Sequence, residues 1–147
     1  MTISTFLTAR GRRDPVKLDL PAGFDLNALQ QAASEQLDED VSGWRFFDEA
    51  TEAEIAVDTG ATPDATGSFR LHCHPCRRVR VTVNFCGDRV EIKRPPVAPL
   101  RVVLRRAIRK LGLDASVADE YLLTLPGSHD SLSLHTPIGS VTGAEDC

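Results

Sequence analysis

The sequence predicts an α+β fold of two small units in tandem, each a mixed sheet crossed by one helix. Two observations predict it. The hydrophobic period shifts from two to about 3.6 and back to two, in the same order, once in each half of the chain. At 147 residues the chain can hold either one mid-sized domain or two small ones, so the repeated order decides.

In the first half, Ile3 to Leu7 is a short β-prone run. Arg10 to Pro15 reads as a turn, and Val16, Leu18 and Leu20 alternate with polar residues as in a half-buried strand. Leu26, Leu29, Ala33 and Leu37 then fall on one helical face, with Asp25 as the expected N-cap. Gly43 to Phe47 is a compact apolar strand, and Ser68 to Leu71 closes the unit after a loop rich in Gly, Asp and Thr.

The second half repeats the order more clearly. Val79, Val81, Val83 and Phe85 alternate with polar residues, Cys86-Gly87-Asp88 turns the chain, and Val90 and Ile92 alternate again. Pro95, Pro96 and Pro99 lead into an apolar stripe of Leu100, Val103, Leu104, Ala107, Ile108 and Leu111, with a basic end and Gly112 as a stop. Glu120 to Leu125 and Asp130 to His135 are the expected closing strands.

A lone hairpin is marginal in water, and the helix after it covers its apolar face. The first and last strands of such a unit can lie side by side in parallel, because the crossover supplies the helix. The expected boundaries are residues 1–76, 77–138 and a flexible tail at 139–147. The alternative is a single α+β domain built from all the strands together.

Composition, 41% hydrophobic and 26% charged, is that of a chain with a packed core and gives no signature of disorder. Residues 1–76 carry a balance of −7 and residues 77–147 one of +3. A balance of +3 without an aromatic stacking platform argues against a nucleic-acid interface and reads instead as a solvated helix face. The start lacks a basic stretch followed by an apolar one, and no run of about 18 apolar residues occurs. The expected location is therefore the cytosol, with no membrane association. Cys73, Cys76, Cys86 and Cys147 cluster in the middle and at the end, unlike a disulfide framework, so reduced thiols are expected.

At this point the residues resemble the ubiquitin family and its β-grasp fold. Arg78 to Lys93 looks like the family's opening hairpin, Pro99 to Leu111 its central helix, Glu120 to Gly127 the next strand and turn, and Ser131 to His135 its last strand. Two such units in one chain are similar to the interferon-induced tandem modifier of vertebrates. They also resemble the two-domain ubiquitin-like proteins of bacterial anti-phage operons, and the high ratio of Arg to Lys and the Ala richness favour the bacterial kind.

The resemblance implies a protein modifier that catalyses nothing itself. Its C-terminal carboxylate would be adenylated, passed to a cysteine as a thioester and transferred to a target protein. Activating and conjugating enzymes, a deconjugating peptidase and the target would be its partners. The expected conjugation tail contains Gly139, Gly143 and Cys147, and it departs from the family in lacking a Gly-Gly pair. Either a peptidase trims it after Gly143, or Cys147 itself carries the reactive carboxylate; trimming is the favoured reading. The family's apolar recognition patch would fall on Leu123 and Leu125, with Ser133 and His135 nearby. A one-residue slip would instead turn a leucine toward the helix. A non-covalent adaptor, binding partners through its sheets, is the alternative function, since the fold hosts both.

Cys73 and Cys76 have the C-x-x-C spacing that suits zinc, and His72 or His74, with Cys86, would have to complete four ligands. No second ligand pair is present, so a strand end with buried cysteines is the preferred reading and no cofactor or metal is expected. No paired nucleophile and base, carboxylate dyad or phosphate-binding glycine loop is found.

Overall fold

The computed structural model describes residues 2–21, 23–55, 69–142 and 147. It has a mixed α+β architecture. Strand β1 (Thr2–Ala9) turns through Arg10-Gly11 into β2 (Arg12–Pro21). This turn is shorter than expected because Gly11 takes φ +69°, which closes the hairpin in two residues and lets pairing start at Ala9 and Arg12.

Helix α1 (Leu26–Leu37) begins where the sequence places it: the Asp25 carboxylate accepts from the Ala28 N–H at 2.8 Å. It ends on Asp38, whose left-handed backbone brings the Glu39 N–H round to donate to the Ser34 carbonyl at 3.2 Å. Strands β3 (Arg45–Asp48) and β4 (Phe69–His74) complete a sheet of order β2-β1-β4-β3. β1 and β4 are parallel, as expected of the first and last strands of the unit, and the other two pairs are antiparallel.

The inward face of this sheet meets α1 in a core of Leu7, Leu18, Leu20, Leu29, Leu37, Phe46 and Leu71. Burial of each such side chain is worth about 1.5–3 kcal/mol. Strand β4 runs three residues beyond the expected Ser68–Leu71, and this decides the orientation of the histidines. Side chains alternate along a strand, so Cys73 joins Leu71 in the core while His72 and His74 point to the opposite face. That second face is not solvent: both histidines are fully buried.

Strand β5 (Val79–Phe85) pairs with β6 (Asp88–Arg94) without interruption, from Val79 opposite Arg94 to Phe85 opposite Asp88. The turn between them has positive φ at both Cys86 and Gly87. Helix α2 (Leu100–Lys110) buries Leu100, Val103, Leu104, Ala107 and Ile108, and a second core gathers Val79, Ile92, Val103, Ala107 and Ile138. Arg109 and Lys110 occupy its last turn, where cations complement the helix dipole. No strand ladder joins the two sheets among the described residues.

Downstream of α2 the expectation of two closing strands is not met. Ala115–Glu120 is a 3-10 helix, opened by Asp114, whose carboxylate accepts from the Ser116 N–H at 2.9 Å and from its hydroxyl at 2.7 Å. The segments expected as Glu120–Leu125 and Asp130–His135 meet at one bridge, Thr124 with Ser131, and at the Leu132 N–H to Leu123 carbonyl bond of 2.7 Å. The sheet around α2 therefore has two strands, not four, among the described residues. No described helix is long and apolar enough to cross a membrane.

Candidate functional site

The C-terminal segment is held by a proline-rich loop. Pro95, Pro96 and Pro99 have no N–H to donate, but the loop's carbonyls remain free to accept. The Ile138 N–H donates to the Ala98 carbonyl at 2.8 Å and the Gly139 N–H to the Pro96 carbonyl at 2.8 Å. In return, the Leu100 and Arg101 N–H groups donate to the carbonyls of Thr136 and Leu134, at 2.9 and 3.1 Å. These are first-turn N–H groups of α2, which have no partner within the helix. Residues 134–139 thus cap α2 while lying antiparallel to residues 96–101. Ile138 is fully buried in the second core, and the chain then turns through the 3-10 helix Ile138–Val141.

Gly139 differs from its expected place in a flexible tail, because it is buried where the two halves meet. Its carbonyl accepts from the Gly11 N–H in the β1–β2 turn at 3.1 Å. A Cβ on Gly139 would overlap Nε2 of His72 and would lie 2.7 Å from Cδ2 of His74 and 2.8 Å from Cβ of Pro96. Glycine is required there by space rather than by backbone conformation.

The two histidines form the floor of this contact. Their rings stack with centroids 5.9 Å apart. Nδ1 of His72 lies 2.8 Å from the Thr8 hydroxyl, and burial, with His74 adding to it, lowers the His72 pKa to about 3. His72 is therefore a neutral ring at any ordinary pH. Nδ1 of His74 accepts from the Cys76 N–H at 3.0 Å, so that nitrogen carries no proton and Nε2 is the donor, 3.3 Å from the Thr142 hydroxyl. His72 Nε2 and the Ser140 hydroxyl are both buried without a hydrogen-bond partner among the described residues.

Cys147 forms a disulfide with Cys76, with Cα atoms 5.3 Å apart. This corrects the expectation of reduced thiols: cysteines 71 positions apart in sequence meet because the chain folds back onto the junction. Gly143, the expected trimming point, lies outside the described residues.

The cysteines and histidine considered for zinc are not brought together. Cys73 is in the first core, Cys76 is bonded to Cys147, and Cys86 is exposed at the far turn of β5. A seven-residue strand, about 23 Å long, separates Cys76 from Cys86. Burial, with Glu39 adding to it, also pushes the Cys73 thiol well above the ordinary range, away from the thiolate that metal ligation needs. Among the described residues no group of three or more potential ligands could hold a metal ion.

The expected patch is also rearranged. Leu123 packs against the second core and Leu125 is half-buried, while Leu122 is 71% exposed. Ser133 and His135 instead line a cleft of about 440 Å³ with Phe6, Arg13 and Arg70 from the first half. Glu49 borders the same cleft, its pKa raised by burial against the opposing pull of Arg70. Sequence reasoning misses Gly11, His72 and His74 as junction residues. The alternation of Leu71 and Cys73 with His72 and His74, followed past Leu71, is the signal that could find the histidines.

No curated protein matches the chain. Residues 80–147, just under half of the chain, match the family model described as BilA ubiquitin-like domain 2, so this stretch, from β5 to Cys147, is similar to a ubiquitin-like domain.

Proposed function

We propose that the chain is a ubiquitin-like protein modifier of bacterial anti-phage systems, joined through its C-terminal segment to target proteins by activating and conjugating enzymes. The observation that carries this reading is the similarity of residues 80–147 to BilA ubiquitin-like domain 2. The mixed sheet of the first half, with β1 and β4 parallel and α1 across them, supports a second β-grasp unit before it. The chain itself catalyses nothing in this reading, and a peptidase that trims after Gly143 is a further partner, with the cytoplasm as the place of action.

In this reading the segment after Thr136 has two unequal parts. Ile138–Val141 is a docked turn, so the portion offered to enzymes begins at Thr142 rather than at Gly139. Burial of Ile138, Gly139 and Ser140 also favours a second reading, in which the chain is a non-covalent adaptor and the C-terminal segment only holds its halves together. A gel shift with the cognate activating enzyme separates the two. A modifier gives an ATP-dependent, thiol-sensitive shift, and an adaptor gives none with either the intact or the trimmed chain.

A further inference from the structure

We propose that α2 and the neighbouring strand β6 form a sequence-independent docking face for the phosphate backbone of duplex nucleic acid. The balance of +3 over residues 77–147 conceals a steep separation of charge. Residues 77–110 carry eleven Lys and Arg against Asp88 and Glu91, a balance of +9, whereas residues 111–147 carry six acids and no Lys or Arg. A merely solvated helix face, as expected from the sum, does not account for this separation.

Helix α2 shows it at close range. Its buried stripe leaves Arg101, Arg105, Arg106, Arg109 and Lys110 on the opposite, exposed side, and the helix contains no acid. Arg101 with Arg105, Arg105 with Arg109 and Arg106 with Lys110 are four residues apart, a spacing at which like charges repel and weaken a helix. Arg101 also stands in the first turn, where the helix dipole disfavours a cation. None of the five makes an ion pair among the described residues. A solvated helix face is supported by alternating signs, and five cations that only repel one another call for an anion from outside.

A groove of about 480 Å³ runs between α2 and β6. Arg80 and Lys93 stand opposite each other in the β5–β6 ladder, and with Arg94, Arg106 and Lys110 they line it. Glu91 is the one acid among its described lining residues, 3.8 Å from Arg80. The Lys110 ammonium donates to the Glu91 backbone carbonyl at 2.8 Å, not to a carboxylate. The groove therefore keeps an excess of four positive charges.

What this face lacks selects the polyanion. Protein interfaces centre on apolar anchors inside a polar rim, but the exposed large apolar side chains among the described residues are Phe6, Phe85 and Leu122, and none lines the groove. Single strands are held on aromatic side chains where bases stack, and no described lining residue is aromatic. A membrane-bound helix inserts its apolar face, whereas that of α2 is buried in the second core. A duplex needs none of these, because it offers one charge per about 1.7 Å of axis and arginine forks fit phosphate oxygens. From Arg101 to Lys110 the helix rises about 13.5 Å, a length over which one strand presents about four phosphates.

This inference is independent of the proposed conjugation, and its test uses the full chain without any enzyme. Fluorescence anisotropy follows a labelled DNA duplex of about 20 base pairs as the chain is added. The expected Kd is on the order of 10 μM near physiological salt. Four phosphate contacts give a slope of about −3.6 in log K against log salt, roughly a hundredfold loss between about 50 and 200 mM. Arg106→Glu should weaken binding about tenfold or more, whereas Lys17→Glu, an equal charge change on an exposed position of β2, should alter it less than about twofold. Thermal melts show that both variants fold. Lys93→Ala combined with Arg106→Ala should bring the slope about 1.8 closer to zero. No binding at low salt, or equal losses in Arg106→Glu and Lys17→Glu, would overturn the proposal. So would poly-L-glutamate or phosphatidylserine vesicles that displace the labelled duplex as well as unlabelled duplex does at matched charge, because an acidic protein or a membrane surface would then fit the face equally.

Discussion

Gly139 lies against Nε2 of His72 with no room for a single methyl group between them. The contact joins a turn of the second half to the sheet of the first, and it is fixed by Pro96 on one side and the Gly11 N–H on another. Gly139→Ala must displace a buried ring or the turn itself, and should destabilise the protein by about 1–3 kcal/mol, the usual range for overpacking. Urea denaturation of the variant checks this; a midpoint equal to that of the parent would mean the contact is loose.

His72 gives the junction a pH dependence of definite sign. The unfolded ring takes up a proton near its ordinary value of 6.5, whereas the folded ring resists protonation down to about 3. Between these values the unfolded state binds more protons, so stability falls as pH falls, by up to about 1.4 kcal/mol per pH unit. Glu49 acts in the opposite direction, since burial raises its pKa and favours the folded state as its carboxylate protonates. The denaturation midpoint should be lower at pH 5 than at pH 7, with a smaller difference in His72→Gln. Equal pH dependence in the two proteins would contradict this role.

The four thiol positions should separate by reactivity. Under native, non-reducing conditions only the exposed Cys86 should be alkylated by iodoacetamide. Reduction should add the exposed Cys147, whereas Cys76 and Cys73, both buried and the latter with its thiolate disfavoured, should react only after unfolding. Peptide mapping reads each site, and early labelling of Cys73 would show that the first core opens locally.

Two neighbouring leucines should behave very differently. Leu122 is exposed and Leu123 packs against the core, so Leu122→Ser should change stability by no more than about 0.5 kcal/mol, and Leu123→Ser should cost about 1–3 kcal/mol. Thermal melts of both variants test it; similar losses would place both side chains in the core.

The legible parts of the sequence are those whose structure is set locally. Asp25 caps α1, Leu29, Ala33 and Leu37 form its stripe, and Cys86-Gly87 reverses the β5–β6 hairpin, as their spacing and turn chemistry indicate. Residues 120–135 mislead because alternation has two causes. Leu123 and Leu132 dip into the core from a chain that lies across it, and this gives the period of a strand without its hydrogen-bond ladder. The tail is illegible for another reason. Nothing local to Gly139 says that His72 and His74, more than sixty residues earlier, will stand beneath it, and only the extension of β4 puts them there.

In the proposed function this chain becomes attached to other proteins through its C-terminal segment. The direct measurement is mass spectrometry of proteins captured with an N-terminally tagged chain from cells that also express its activating and conjugating enzymes. The expected products are peptides in which the C-terminal segment, ending at Gly143 or at Cys147, is joined by its carboxyl group to an amine of another protein. Captured partners that all separate from the chain under denaturing, reducing conditions, with no such branched peptide, would contradict it.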